Sequence, residues 1–259
     1  MGLGGNLMWI PIFRELIKGM NQHGLKVLPI ELGRVSTSPV FINCPYITFN
    51  PNYKPSIVVD ISYNLPHNYV IKQIGDRDLY IEDMHIVQHR AKYFKLNLNL
   101  DIRGELFFTK DEKNKIDKCL QAIYYKIYGN MEMVAEALVT DKIRELVIIE
   151  PNSKNNYTLN KQYPLDKWQK ITDLLLANPK FQEKYILIQI SKSGLWKLDG
   201  LDIDLQELGG GFSLNYREAA LLIKYAKLFV GMEGGLVHAA SAYGVNTQAL
   251  SIVPPIFNE

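Results

Sequence analysis

Short apolar runs alternate along the chain with segments in which apolar residues recur every three or four positions. Bounded apolar runs predict buried strands, and the three-to-four spacing predicts amphipathic helices. The predicted strands cover residues 25–32, 56–61, 146–150, 185–190, 227–230 and 247–252, and a short acidic strand falls within residues 191–211. The predicted helices cover residues 7–20, 84–96, 110–128, 131–138, 165–177 and 236–243, and another begins with Ser213 as its N-cap.

Strands alternate with helices in both halves of the chain, which predicts an α/β fold with parallel sheets covered by helices on both faces. Gly129 and Asn130 interrupt a long helical region in the middle. We therefore expect a domain boundary within residues 130–143, with an N-terminal domain over residues 1–140 and a C-terminal domain over residues 141–259.

The composition of the chain argues against several functional classes of protein. The 259 residues carry 29 Lys and Arg against 27 Asp and Glu, and no basic run, so nucleic-acid binding is not indicated. No apolar run reaches the ~18 residues of a membrane span. Cys44 and Cys119 lie far apart without a metal-type spacing, which is typical of reduced cytosolic thiols. The N-terminus lacks a signal-peptide pattern, and we expect a cytoplasmic protein.

The clearest chemical pattern follows the strand at residues 227–230. Gly234 and Gly235 precede a helix of small residues that is closed by Gly244. Glycines let a ligand approach the backbone, and the free N–H groups and positive dipole at a helix start suit a phosphate. A glycine pair before a helix is a weak signal alone, so an ordinary strand–turn–helix unit is an equal alternative.

Two acidic residues come at or near the ends of predicted strands in the first half. Asp60 ends one strand and Glu31 lies near the end of another. Ligands of open α/β sheets bind beyond the carboxyl ends of strands, although a carboxylate that caps a loop is an equally good interpretation of Asp60.

His85 and His89 have a spacing that can hold a metal, but no third ligand is evident.

The chain opens on a glycine-rich segment, residues 1–6, which predicts a loop with no strand before it. In a doubly wound fold such a loop follows the first strand. We therefore expect the opening strand of the N-terminal domain to be missing, with one position of its sheet unfilled. We also expect the natural product to be longer at one or both ends.

Four blocks of sequence resemble glycosyltransferase family 9, the heptosyltransferase-like enzymes of bacterial surface-polysaccharide synthesis. The first contains Gly4-Gly5-Asn6 and continues to Pro11. The others are residues 149–153 with 161–168, residues 208–209 with 213–214, and residues 231–240. They occur in the family's order and at about its spacing across nearly the whole chain.

The resemblance implies a GT-B fold, in which two Rossmann-like domains with parallel sheets face a central cleft. It implies an acceptor in the N-terminal domain and a nucleotide-diphosphate sugar in the C-terminal domain, with no metal and no cofactor. The residues that it assigns to the donor are Ser153, Lys161, Glu233, Gly234, Gly235 and His238. A solvated surface lysine remains the alternative for Lys161, and a packed helix residue remains the alternative for His238.

The implied function is transfer of a heptose-like or hexose sugar to lipopolysaccharide or to another surface glycan, including a lipid-linked one. The resemblance also implies peripheral contact of the protein with the inner membrane face. Asn6 stands where the family has its general base, beside the loop residues Gly4 and Gly5, and an amide cannot accept the proton. Asp60 and Glu31 are the candidate replacements.

Other departures from the family keep alternatives open. Gly234 replaces the hydroxyl residue that follows the acidic residue in the family, and Tyr163 replaces a tryptophan. A non-catalytic nucleotide-sugar-binding or scaffold protein on the same fold therefore remains a second hypothesis. A nucleotide-sugar epimerase of GT-B shape is a third, although none of that family's blocks is found.

Overall fold

The computed structural model describes residues 3–20, 24–54, 56–62, 69–74, 77–82, 85–152, 163–190, 197–205, 208, 212–232 and 234–250. The chain forms two compact units, residues 1–107 and residues 108–259.

In the part of the N-terminal unit that the structure describes, three α-helices accompany short sheets. The helices are α1 (Leu3–Leu7), α2 (Ile10–Gly19) and α3 (Ile86–Tyr93), and a 3-10 turn covers Pro39–Phe41. The strands are β1 (Lys26–Glu31), β2 (Arg34–Val35), β3 (Ser56–Asp60), β4 (Tyr69–Ile74) and β5 (Arg77–Glu82). β1 pairs antiparallel with β2 and parallel with β3, and β4 pairs antiparallel with β5. The strands at 25–32 and 56–61 were predicted, whereas the β4–β5 hairpin was not.

The opening segment is a helix and not the predicted glycine loop. The Met8 N–H donates to the Gly4 carbonyl at 3.2 Å, and both Leu7 and Trp9 are buried. A Cβ on Gly104 would lie 2.6 Å from Leu7 Cγ, so the backbone at Gly104 closely covers α1. This burial of apolar side chains outweighs the low helix propensity of the glycines.

β3 was predicted as a buried strand, but it lies at an edge of the sheet that the described residues form. It pairs with β1, Val59 is buried, and Val58 is 57% exposed. β1 itself has neighbours on both sides, because Val27 also forms a parallel bridge with Ile47. Within the described residues, the outer edge of β3 is therefore the position at which a further strand could pair, and β1 has no open side.

The C-terminal unit is a parallel sheet covered by helices on both faces. Its strands are β6 (Glu145–Glu150), β7 (Tyr185–Gln189), β8 (Ile203–Asp204), β9 (Ala226–Met232) and β10 (Asn246–Leu250). Its helices are α4 (Lys110–Tyr128), α5 (Met131–Val139), α6 (Leu165–Leu176), α7 (Pro179–Lys184), α8 (Tyr216–Ile223) and α9 (Gly235–Ala242). The strands run parallel in the order β10-β9-β6-β7-β8. The predicted α/β class with parallel sheets is confirmed.

Alternate residues of β6 enter two different cores. Ile148 packs in a cluster with residues of α4, α8 and α9, while Ile149 packs against Trp168 of α6 and Phe181 of α7 on the other face. Successive side chains of a strand point to opposite faces. A strand buried on both faces therefore shows the continuous apolar run by which β6 was predicted.

The division between the units falls between Phe107 and Phe108, not within the predicted 130–143. The reason is that α4 packs on the C-terminal sheet. Its buried residues Ile116, Cys119 and Ile123 share a core with the strands of that sheet. The glycine at the end of α4 therefore separates two helices of one unit.

Helices α4 and α8 both begin with a capping box. The Thr109 hydroxyl accepts the Glu112 N–H at 3.1 Å, and Glu112 Oε2 accepts the Thr109 N–H at 2.7 Å. Asn215 Oδ1 accepts the Glu218 N–H at 3.0 Å, and Glu218 Oε2 accepts the Asn215 N–H at 2.9 Å. Ser213 is thus not the N-cap of α8, because the amide of Asn215 satisfies the first N–H groups.

Each capping glutamate also pairs with a cation on the other helix. Arg217 Nε of α8 lies 2.6 Å from Glu112 Oε1, and Lys115 Nζ of α4 lies 2.8 Å from Glu218 Oε2. The Arg217 and Glu112 side chains are only 3% and 13% exposed. The two helix starts are therefore joined by reciprocal ion pairs, one of which is largely withdrawn from water.

We predict that Glu112→Ala destabilises the C-terminal unit by about 3 kcal/mol, because it leaves the Arg217 charge buried without its carboxylate. The exposed neighbour Asp111 provides the matched control, and Asp111→Ala should cost only about 0.5 kcal/mol. Urea unfolding followed by circular dichroism measures both. Equal losses in the two variants would show that the ion pair contributes little.

Candidate functional site

The order of strands reverses between β6 and β9. From β6 the chain continues through β7 and β8 on one side, whereas β9 and β10 lie on the other. At such a reversal, the loops that leave the two central strands open a crevice beyond their carboxyl ends, where open α/β sheets bind ligands. The residues that meet there are Glu150 of β6 and its register partner Gly231 of β9.

Glycines lie near the end of β9 and at the start of α9. A Cβ on Gly231 would lie 2.7 Å from the Phe229 ring, so any larger residue at this position would have to displace that ring. Gly234 is the N-cap residue of α9 and offers no side chain to cap the first N–H groups of the helix. These N–H groups and the positive end of the dipole suit an anion.

Neighbouring side chains hold the start of α9. The Tyr216 hydroxyl of α8 donates to the Gly235 carbonyl at 3.2 Å. Burial raises the pKa of Tyr216, so the phenol stays protonated as a donor at neutral pH. His238 lies in the first turn of α9, half-buried, and its backbone N–H donates to the Gly234 carbonyl.

Glu150 is a candidate residue that sequence reasoning did not select. Its Oε1 accepts the Asn152 N–H at 2.7 Å. The residue keeps part of its surface exposed, but burial of the carboxyl raises its pKa to about 8, against a smaller lowering by the Asn152 hydrogen bonds. In the sequence, Glu150 follows an apolar run, as Asp60 does, and this pattern marks both as candidates.

The predicted donor residues divide into two groups. Gly234, Gly235 and His238 lie together at the start of α9. Ser153, Lys161 and Glu233 fall outside the described residues, and their roles stay predictions.

In the N-terminal unit, the predicted acceptor loop is a packed helix. Asn6 is 3% exposed, and its Oδ1 has no hydrogen-bond partner among the described residues. Gly4 is buried in α1 beside it. Arg90 donates to the Gly5 carbonyl at 3.3 Å, and its guanidinium lies 4.1 Å from the centre of the Trp9 ring. Asn6 therefore belongs to the interior of this unit.

Asp60 and Glu31 lie at the same end of neighbouring parallel strands. Asp60 is the register partner of Ile30, the residue before Glu31. Asp60 Oδ1 accepts the Ser62 N–H at 2.8 Å, and the hydrogen bonds from Ser62 hold the pKa of the exposed Asp60 below its usual value. This geometry agrees with the loop-capping interpretation of Asp60. Glu31 ends β1 at the hairpin, opposite Arg34.

The histidine pair on α3 has structural contacts. His85 is the N-cap residue, and its Nδ1 accepts the Val87 N–H at 3.2 Å, while His89 is buried. The described part of the chain contains no group of three His, Cys, Asp or Glu residues that could hold a metal ion. Within the same residues, every helix is too short or too polar to cross a membrane.

Comparison with known proteins gives a likeness of fold. The solved structure of a glycosyltransferase family 9 protein from Veillonella parvula is similar to this chain, with a TM-score of 0.60 and 12% sequence identity. The similarity covers 96% of this chain and 77% of that chain. No protein-family model matches the chain, and no curated protein matches it.

We predict that Glu150→Gln stabilises the protein increasingly as the pH rises. The folded state raises the pKa of Glu150 from about 4.5 to about 8, so the carboxyl stabilises the fold fully only at low pH and loses this contribution as the pH rises through 8. Thermal unfolding at pH 5, 7 and 9 measures the difference between variant and wild type.

Glu145→Gln is the matched control, because Glu145 begins the same strand and is exposed beside Lys227. We expect its unfolding temperature to follow the wild type with no comparable trend. Parallel curves for Glu150→Gln and wild type from pH 5 to 9 would contradict a raised pKa of Glu150.

Proposed function

We propose that this protein is a glycosyltransferase that binds a nucleotide-diphosphate sugar at the carboxyl edge of the C-terminal sheet and transfers the sugar to a glycan or lipid-linked acceptor. The observation that carries the proposal is the reversal of strand order between β6 and β9, with Gly234 and Gly235 at the start of α9 beside it. The likeness of fold to a family 9 glycosyltransferase supports the same function. A surface glycan such as lipopolysaccharide is the acceptor class that we propose.

The chemistry of the donor fits this edge of the sheet. Transfer requires that the negative charge of the departing diphosphate be stabilised as the bond between sugar and oxygen breaks. In the proposal, the N–H groups at Gly235 and the residues after it bind the diphosphate. Lys161 adds a positive charge and His238 adds a polar contact, so this donor set needs no metal.

The acceptor hydroxyl needs a base, and we assign that role to Glu31. Asn6 cannot accept a proton, and it lies in the interior of its unit. Asp60 is a weaker candidate because the Ser62 hydrogen bonds lower its pKa, and a base works best with a pKa near the working pH. Glu31 lies at the same edge of the N-terminal sheet as Asp60.

Binding of a nucleotide sugar without transfer is the second candidate function. The buried amide of Asn6 favours it, since the position at which the family resemblance implies a base holds a residue that cannot be one. The two functions share the donor site and differ in turnover.

We predict that Lys161→Ala weakens binding of a nucleotide-diphosphate sugar by about 1.5–3 kcal/mol, the range for hydrogen bonds to charged groups. Calorimetry against a panel of uridine, guanosine and adenosine diphosphate sugars measures the affinity. Lys170→Ala is the matched control, because Lys170 is an exposed lysine of α6. Unchanged affinity in Lys161→Ala would remove this lysine from the site, and no binding by wild type would refute the proposed function.

We predict that Glu31→Gln slows sugar transfer by about 10²-fold or more, the lower end of the contribution of a general base. Asp60→Asn is the matched control and should retain most of the wild-type rate. Release of nucleoside diphosphate in the presence of a surface-glycan acceptor measures the turnover. Turnover that is insensitive to Glu31→Gln would refute the assignment of the base, and binding without any turnover would select the second function.

A further inference from the structure

The carboxyl end of β6 lies at the centre of the site and ends in an acidic residue. Glu150 follows Ile148 by two positions and therefore points to the same face of the sheet as Ile148. That face carries the cluster to which α8 and α9 contribute. Gly231, the register partner of Glu150 on β9, adds no side chain beside it, and the ring of Phe229 lies where a side chain at Gly231 would stand.

We propose that Glu150 faces the phosphates of a bound nucleotide sugar as an uncharged carboxylic acid, and that ionisation of this carboxyl excludes the ligand. This inference rests on the proposed function of the site. It adds a residue that determines affinity, and it specifies the protonation state in which that residue acts.

The two states of the carboxyl differ in what they offer a phosphate. One oxygen, Oε1, already accepts the Asn152 N–H. A protonated carboxyl can donate one hydrogen bond to a phosphate oxygen, whereas an ionised carboxylate has only acceptors. Two negative groups in a partly buried site also repel each other more strongly than in water. The uncharged form is therefore compatible with a diphosphate, and the ionised form opposes it.

The described surroundings of β6 favour the uncharged carboxyl at neutral pH, and Lys161 and Glu233 lie outside the described residues. β7 and β9 end in the uncharged residues Gln189 and Met232, α9 carries His238, and Tyr216 of α8 donates its hydroxyl to Gly235. Among the described residues, burial and the Asn152 hydrogen bonds set the pKa of the carboxyl to about 8, and no charged side chain contributes. The pH range in which Glu150 changes charge therefore lies just above neutrality.

The test compares affinity at pH 7 and pH 9 for wild type, Glu150→Gln and Glu145→Gln. The probes are uridine, guanosine and adenosine diphosphate sugars, measured by calorimetry, because both of their phosphates are esterified and keep a constant charge in this range. With a pKa of about 8, the uncharged fraction of Glu150 falls about tenfold between the two pH values, and the wild-type affinity should fall about tenfold with it.

Glutamine keeps the shape of the protonated carboxyl and cannot ionise. Glu150→Gln should therefore lose less than about twofold in affinity over the same range, while Glu145→Gln, altered at the opposite end of β6, should follow the wild type. An equal fall in wild type and Glu150→Gln would overturn the inference, because the titrating group would lie elsewhere.

Two further outcomes would also overturn it. Glu150→Gln that binds more weakly than wild type at both pH values would show that the carboxylate accepts hydrogen bonds from the ligand, as from ribose hydroxyls. Wild-type affinity that is independent of pH would show that the carboxyl does not face the phosphates. If none of the three proteins binds any nucleotide sugar, the proposed function itself is refuted, and the inference fails with it.

Discussion

The parallel pairing of β6 with β9 is the constraint on which the candidate site depends. These strands are neighbours in the sheet but are separated in the chain by β7, β8 and the helices between them. Because the chain leaves β6 toward one side of the sheet and β9 toward the other, the two following loops diverge and leave a crevice. The register of this pair sets Glu150 beside Gly231, and α9 begins four residues beyond Gly231.

The ion pairs between α4 and α8 hold in place the turn of α8 that contacts the candidate site. The first turn of α8 carries Arg217, which binds Glu112 of α4, and also Tyr216, whose hydroxyl binds the Gly235 carbonyl. The same turn is thus anchored to α4 on one side and to the start of α9 on the other. α4 therefore supports the glycines of the site without containing a residue of the site.

The sequence predicted an element best where a local pattern of apolar residues is enough to determine its structure. β6 is buried on both faces, so its apolar run predicted residues 146–150, and the strand covers Glu145–Glu150. Long-range packing decided the remainder. The α1 helix exists because its apolar residues are buried under the backbone at Gly104, and α4 joins the C-terminal unit through contacts with α8. The raised pKa of Glu150 likewise depends on burial of its carboxyl in the folded chain, which a local sequence pattern does not report.

The location of the ligand site is tested most directly by a backbone amide NMR titration of the whole chain with nucleotide-diphosphate sugars. A ligand that binds at the strand reversal should shift the amide resonances of Gly234, Gly235 and the next residues of α9 most strongly, because the phosphates would lie against the N–H groups at the start of this helix. Gly231 and Asn152, whose N–H groups lie in the sheet and on Glu150, should show smaller shifts. Resonances of β8 and β10 should change little. Shifts concentrated in α1 or β1, or no shifts with any nucleotide sugar, would contradict the placement of the site at the carboxyl ends of β6 and β9.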